Sequence, residues 1–343
     1  MSVAICIDKE RQIYLLHHRA YKAHYGGDQY LMKISIFTQY SLYGQFLVAE
    51  LVRLLGTECI DRVYLSEALL EDGHYHGVCQ VADRMLPEYR ILKNTERKLI
   101  FDLIRACEPN INATSPYPFF DSLYENYGIP IALTRRKPDA PEVVAQMAAD
   151  ASDVFLSLRY SGLFREPSMA IPHLGLINLH SSLLPRFRGL ENVLQALIHQ
   201  DTSYGPTLHW ILNPFPNLDN GPVICQQPIP TEPGKSLVWH MFQLYRASVP
   251  LILKAVQDLE SGMLTKDIAP QPQEAFKTTS IPTADEFARL SALGYPLVTY
   301  QDVAHIMEQA FHLSLTPAIW ESCLERYPVL KTNLISGISP LLV

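Results

Sequence analysis

Hydrophobic positions along this chain recur at two spacings. Short apolar runs of strand length alternate with longer stretches whose apolar residues return every three to four positions. The strand-like runs are Lys33–Thr38, Ile60–Leu65, Pro130–Leu133, Val154–Leu158, Leu174–His180, Thr207–Leu212 and Val223–Ile229. Between them, Tyr43–Leu55 carries an amphipathic helical pattern that ends at Gly56, and residues 94–106 and 140–151 also read as helices. Strands alternating with helices predict an α/β fold built on a mostly parallel sheet covered on both faces.

The clearest helical pattern is Ser236–Ser261. Val238, Phe242, Tyr245, Val249, Ile252, Val256 and Leu259 fall on one face. Ser236 is placed to cap its start and Gly262 to close its end, while Pro250 predicts a kink. Pro270-Gln271-Pro272 then marks a linker, followed by helical patterns at 284–293, 301–312 and 317–326. These breaks divide the chain into an N-terminal extension (1–31), a catalytic-sized domain (32–265) and a small mixed C-terminal accessory region (266–343). Within the extension, Val3–Ile5 and Ile13–Leu16 read as short strands.

Composition narrows the function classes. The 343 residues suit two domains. With 28 Lys and Arg against 35 Asp and Glu, the formal net charge of −7 disfavours a nucleic-acid partner. Cys6, Cys59, Cys79, Cys107, Cys225 and Cys323 form no CxxC pair and sit near no tight His cluster, which argues against a metal site and a disulfide scaffold. Free thiols and the lack of a long apolar stretch predict a cytoplasmic protein with no membrane segment. Gly234-Lys235-Ser236 lacks the first glycine of a phosphate loop, because position 229 is Ile. His74 and His76 read as an exposed loop pair, and Arg135-Arg136-Lys137 as a solvated turn.

The chemistry concentrates in 154–229. The run Leu174–Leu179 ends in a polar cluster, Asn178, His180, Ser181 and Ser182. In open α/β sheets the carboxyl ends of the strands line the ligand crevice. Asn178 and His180 are two apart, so an extended backbone points both side chains the same way. A carboxamide N–H stabilises a developing oxyanion, and an imidazole moves a proton near neutral pH. Asp219 stands in Asp219-Asn220-Gly221-Pro222, a strong turn signal from which a carboxylate can reach the same crevice.

The ordered set Asn178-Leu179-His180-Ser181-Ser182-Leu183-Leu184-Pro185-Arg186-Phe187-Arg188-Gly189, then Gly205-Pro206-Thr207-Leu208-His209, then Asp219-Asn220-Gly221-Pro222, resembles the folate-dependent formyltransferase family. That family includes glycinamide ribonucleotide, methionyl-tRNA and sugar-amine N-formyltransferases. The resemblance covers 32–262 and is sharpest over 174–229. It implies a Rossmann-like catalytic domain, 10-formyltetrahydrofolate as the formyl donor, and Asn178, His180 and Asp219 as the catalytic trio. It also implies a folate pocket lined by Arg159, Tyr160, Ser161, Gly162 and Leu163, packed by Leu183, with the Asn213–Leu218 loop as its other wall and Leu218 as a contact. Ser181 stands where the family more often has Pro or Ala, and His180 and Asp219 lie slightly farther apart than usual.

The expected reaction is formyl transfer to the amine of a small molecule, such as an amino sugar nucleotide or a modified amino acid. Three alternatives stand beside it: methionyl-tRNA formylation, formyltetrahydrofolate hydrolysis and a non-catalytic folate-binding role. Residues 262–343 hold five Lys and Arg against eight Asp and Glu, an acidic tail poorly suited to RNA. Sugar-formylating members of the family are often dimers, so a homodimer is among the expectations. Which of His180 and Asp219 is the general base stays open in the sequence.

Overall fold

The computed structural model describes residues 31–78, 86–109, 117–135, 137–212, 218–271 and 277–336. The strands predicted at Val3–Ile5 and Ile13–Leu16 lie outside the described residues. The chain begins with β1 (Ile34–Gln39), α1 (Leu42–Leu55) and β2 (Ile60–Ser66), then a hairpin of β3 (Ala68–Glu71) and β4 (His74–Gly77). Helix α2 (Pro87–Asn94) passes through a π-helical turn, Thr95–Leu99, into α3 (Ile100–Cys107). Next come α4 (Leu123–Tyr127), β5 (Ile131–Leu133), α5 (Pro141–Asp150), β6 (Val154–Leu158), α6 (Glu166–Met169) and β7 (Gly175–His180). The segment richest in polar motifs then supplies β8 (Phe187–Gly189), α7 (Asn192–Ile198), β9 (Ser203–Tyr204), β10 (Thr207–Trp210), β11 (Val223–Gln226) and β12 (Ile229–Pro230). The chain closes with α8 (Leu237–Glu260), β13 (Lys277–Thr279), α9 (Ala284–Ala292), α10 (Tyr300–Phe311), α11 (Pro317–Leu324) and α12 (Pro328–Ser336).

Seven strands form one sheet in the order β11-β10-β7-β6-β1-β2-β5. The five from β7 to β5 run parallel, and β10 and β11 extend the β7 edge antiparallel. Both β1 and β6 are buried along their whole length, because helices cover both faces of the sheet. From β1 the chain first builds outward through β2 and β5, then returns to the other side of β1 to lay down β6 and β7. This reversal opens a crevice at the carboxyl ends of the central strands, and β7 delivers Asn178 and His180 there.

Local chemistry explains most of these elements. The Ser41 hydroxyl caps α1 by accepting from the Gly44 amide, and Ser236 caps α8 by accepting from Trp239. Helix α8 remains one element through Pro250. Its apolar face lies on α1, where Phe242 meets Phe46 edge-on at 5.2 Å and Tyr245 stacks on Tyr43 at 5.0 Å. The unpredicted β3–β4 hairpin turns at Asp72-Gly73, a pair with the positive φ angles such a turn needs. The predicted strand Val223–Ile229 divides into β11 and β12.

The C-terminal helices share the main core. Phe287, Leu290, Val303, Ile306, Met307 and Trp320 are buried in the same apolar cluster as β1, α1 and α8. At the start of α8, the Asp302 carboxylate accepts from the Ser236 amide at 2.8 Å and the Lys235 ammonium at 3.0 Å, which ties α10 to the catalytic-sized domain. No described helix is long and apolar enough to cross a membrane.

The contact between α8 and α1 predicts a stability effect. Phe242→Ala should lower unfolding free energy by about 3–5 kcal/mol, through lost burial and an unfilled cavity. Urea denaturation measures it, and a loss below about 1 kcal/mol would place Phe242 outside the cooperative core.

Candidate active site

Alternation along β7 sends Leu179 into the core and leaves Asn178 and His180 facing the crevice. The neighbouring β10 places His209 opposite Asn178 and Thr207 opposite His180. Asp219 enters from the turn between β10 and β11, with a left-handed backbone of φ 51°. That turn passes so close to β10 that a Cβ on Gly221 would collide with the Trp210 carbonyl oxygen. Only glycine permits the approach, which is why a carboxylate two residues earlier can reach the strand ends.

Asp219 is the hub. Its Oδ1 lies 3.3 Å from His180 Nδ1, 3.6 Å from His209 Nε2 and 3.5 Å from Asn178 Nδ2, and its Oδ2 accepts from the Gly189 amide at 2.9 Å. Asn178 is held on its other side by the Ser157 hydroxyl, which donates to its Oδ1 at 2.9 Å. Its Nδ2 also lies 3.0 Å from His209 Nε2. His180 is 4% exposed, with Nε2 at 2.9 Å from the Phe187 carbonyl oxygen. The structure therefore brings Asn178, His180 and Asp219 together.

The charges of the pair support each other. Burial alone pulls the His180 imidazolium toward its neutral form. The Asp219 charge, its hydrogen bond and the Phe187 carbonyl outweigh this and leave the ring's pKa above its ordinary value. Burial likewise opposes ionisation of Asp219, but the facing His180, with hydrogen bonds from His180 and His209, holds the carboxyl well below the usual range.

The residues expected to line a folate pocket separate into two groups. Leu163 and Leu218 are 42% and 41% exposed, and Leu183 is half-buried, so these three offer apolar surface. Arg159 and Tyr160 are committed elsewhere. The Arg159 guanidinium lies 2.5 Å from Glu96 Oε2, donates to the Tyr245 hydroxyl at 2.8 Å and covers the Tyr43 ring at 4.8 Å. Tyr160 donates to Thr134 Oγ1 at 2.6 Å and packs edge-on against Phe37. Phe164 belongs to that same small aromatic core. Ser161 bonds Ser66, and a Cβ on the half-buried Gly162 would meet the Tyr160 ring. Residues 213–217 of the second wall lie outside the described residues.

Beside the trio, a small cavity of about 20 Å³ is lined by Arg159, Ser181, Glu191, Asn192, Val193 and Met241. Beneath it, Lys93 bridges Glu96 and Glu191 at 2.8 Å each, and the Tyr89 hydroxyl donates to Glu191 at 2.8 Å. Burial would raise the Glu191 carboxyl, but Lys93 and Arg159 overcome it and hold the pKa at about 2.

Four further side chains build the site. His209 stands within the motif segment, and its alternation with Thr207 along β10 is the sequence signal that marks it. Asn192 follows the Arg-Gly bend. Gln271 and Thr279 come from the tail, where nothing local marks them. The Gln271 amide donates to the Asp219 and Gly221 carbonyls at 2.9 and 2.6 Å and accepts from Arg188 at 3.0 Å. Strand β13 pairs in parallel with β8, and a Cβ on Gly189 would strike the Thr279 carbonyl oxygen.

An α/β sheet whose switch point gathers a carboxamide, an imidazole and a carboxylate defines a class suited to acyl-group chemistry. Residues 105–246, which hold all three, match the family model described as formyl transferase. The methionyl-tRNA formyltransferase of Acidothermus cellulolyticus is 31% identical over 189 residues, covering 55% of this chain and 56% of that protein. The methionyl-tRNA formyltransferase of Mycolicibacterium gilvum is 32% identical over 206 residues, covering 59% and 60%. The chain thus spans a little over half the length of these curated relatives. Among solved structures, glycinamide ribonucleotide transformylase 1 from Symbiobacterium toebii aligns with 73% of this chain and 100% of its own, at 16% identity and a TM-score of 0.47.

The His180–Asp219 pair sets a pH signature. His180, with a raised folded pKa, contributes stability that is complete below its ordinary value of 6.5 and fades as pH rises through the folded value. Asp219, with a lowered folded pKa, contributes stability present above 3.8 and lost as pH falls through its folded value. The melting-temperature gap between wild type and Asp219→Asn should therefore be widest between pH 3.8 and 6.5 and narrow on the alkaline side. A gap that grows steadily toward pH 9 would contradict the pairing.

Proposed function

We propose that this protein transfers the formyl group of 10-formyltetrahydrofolate to the amine of a small molecule. The observation that carries the reading is the meeting of Asn178, His180 and Asp219 around one half-buried crevice in a formyl transferase segment. In the reaction, the amine nitrogen attacks the formyl carbon and a tetrahedral oxyanion forms. The C–N bond to the folate then breaks, and a proton from the amine reaches the departing folate nitrogen. The second N–H of Asn178, held only by its long 3.5 Å contact with Asp219, is the donor a developing oxyanion would engage. His180, charged while it faces Asp219, favours that negative oxygen. Asp219 keeps the ring in place and passes the amine proton through the pair, which titrates as a unit.

The donor fits the apolar surface of Leu163, Leu183 and Leu218. The Arg159 guanidinium is bound to Glu96 and Tyr245. For the acceptor, the tail favours a small molecule. Its described portion is helical, packed into the core and acidic, with no basic face to receive RNA. Methionyl-tRNA is the second reading, supported by the names of the relatives.

The test follows tetrahydrofolate release from 10-formyltetrahydrofolate with no amine, with a panel of amino sugar nucleotides and amino acids, and with methionyl-tRNA. Release should require a small amine. Asn178→Ala should lower the rate about 10²–10³-fold, and His180→Gln about 10²–10⁴-fold. Release without amine would point instead to hydrolysis, and full activity in both variants would refute the site.

A further inference from the structure

His180 is enclosed, yet its Nε2 has two neighbours of opposite character. The Phe187 carbonyl oxygen at 2.9 Å only accepts. The Asn192 amide nitrogen at 3.2 Å only donates. The orientation of that amide is fixed by its surroundings. Its Nδ2 lies 3.0 Å from the Gly189 carbonyl oxygen and its Oδ1 lies 2.8 Å from the Thr279 hydroxyl. Turned over, the amide would press its oxygen against the Gly189 oxygen, two acceptors in contact. Asn192 is 0% exposed, so its polar atoms depend on these partners.

The two neighbours serve different states of the ring. With Nδ1–H directed at Asp219, an imidazolium carries a second N–H on Nε2, which the Phe187 carbonyl accepts. A neutral ring leaves a bare Nε2 lone pair, which the carbonyl repels and the Asn192 amide satisfies. A buried histidine without that donor would be left with an unsatisfied acceptor whenever it lost its proton. We propose that Asn192, oriented by its contacts with Gly189 and with Thr279 of the tail strand, is a positioning residue that steadies the neutral, Nδ1-protonated form of His180 and so sets how tightly the ring holds its second proton. The proposal rests on the reading of His180 as part of the formyl-transfer site.

The other groups facing the ring are Asp219 from the turn before β11, His209 from β10 at 6.2 Å between ring centres, and Arg188 from β8. A neutral-for-neutral exchange at Asn192 leaves all three groups in place. The single Thr279 hydroxyl proton is shared between Asn192 Oδ1 and the Arg188 carbonyl oxygen, each at 2.8 Å, so removing it loosens Asn192 without touching the ring.

The experiment is a pH titration of the full chain with ¹³C,¹⁵N-labelled histidine, reading the His180 signal assigned by its loss in His180→Gln. Asn192→Leu should raise the ring's proton affinity about tenfold, the worth of one hydrogen bond to a buried acceptor. Thr279→Val should move it the same way by a smaller factor, and Thr279→Ser should restore the wild-type curve. If Asn192→Leu does not fold, the two Thr279 variants carry the test. The pH–rate profile of formyl transfer should shift by the same factor. An unchanged His180 titration in a folded Asn192→Leu or Thr279→Val chain overturns the proposal and leaves the transfer reading intact. Altered titration in a chain that transfers no formyl group supports the proton arm and removes the transfer reading instead.

Discussion

A carboxylate buried beside two histidines organises this protein. Taken out of water alone, the charge on Asp219 would be strongly unfavourable. It persists because the Gly189 amide, the Asn178 amide and the facing imidazoles of His180 and His209 all address it. Those partners come from β7, β10 and the end of β8, so the carboxylate ties several elements to one point. The same arrangement that makes its burial tolerable makes the neighbouring histidine basic. Stability and chemistry at the crevice are therefore one electrostatic problem.

The tail is part of that solution. Gln271 spans the Asp219 turn and Arg188, and Thr279 holds Asn192 behind the histidine. Gly189 lets the two backbones come close enough for β13 to pair with β8. A region that reads in sequence as an accessory appendage supplies backbone and side-chain support to the site. The core agrees, since the helices after it are buried in the same apolar cluster as the sheet.

A second charged assembly lies next to the first. Lys93, Arg97 and Arg159 interleave with Glu67, Glu96 and Glu191, three of each sign, beside the cavity that Ser181 and Asn192 help to line. Such a balanced set is tolerable in a low dielectric only when each charge faces its opposite. It explains why Arg159, whose position after β6 suggests a ligand contact, instead spends its charge on Glu96. The π-helical turn between α2 and α3 presents Glu96 to it, a local backbone irregularity with a structural use.

Periodicity alone determined much of the architecture. The alternation of apolar runs and amphipathic stretches foretold β1, β2, β6, β7, α1 and α8 to within a residue or two, because burial on both faces of a parallel sheet requires it. The spacing of Asn178 and His180 on one strand, with a turn carboxylate downstream, likewise foretold that three reactive groups could meet. Other features have no such local mark. The β3–β4 hairpin and α7 were missed, although the Asp72-Gly73 turn offered a cue for the hairpin. The fate of Arg159 depended on a glutamate sixty-three residues earlier. The role of Thr279 depended on a three-residue strand that pairs with β8, ninety residues earlier in the chain, and that of Gln271 on a turn some fifty residues before it. Side-chain period is set by neighbours in the chain and can be read from it. Hydrogen-bond partners, and with them which charges are neutralised and which remain available for chemistry, are set by neighbours in space.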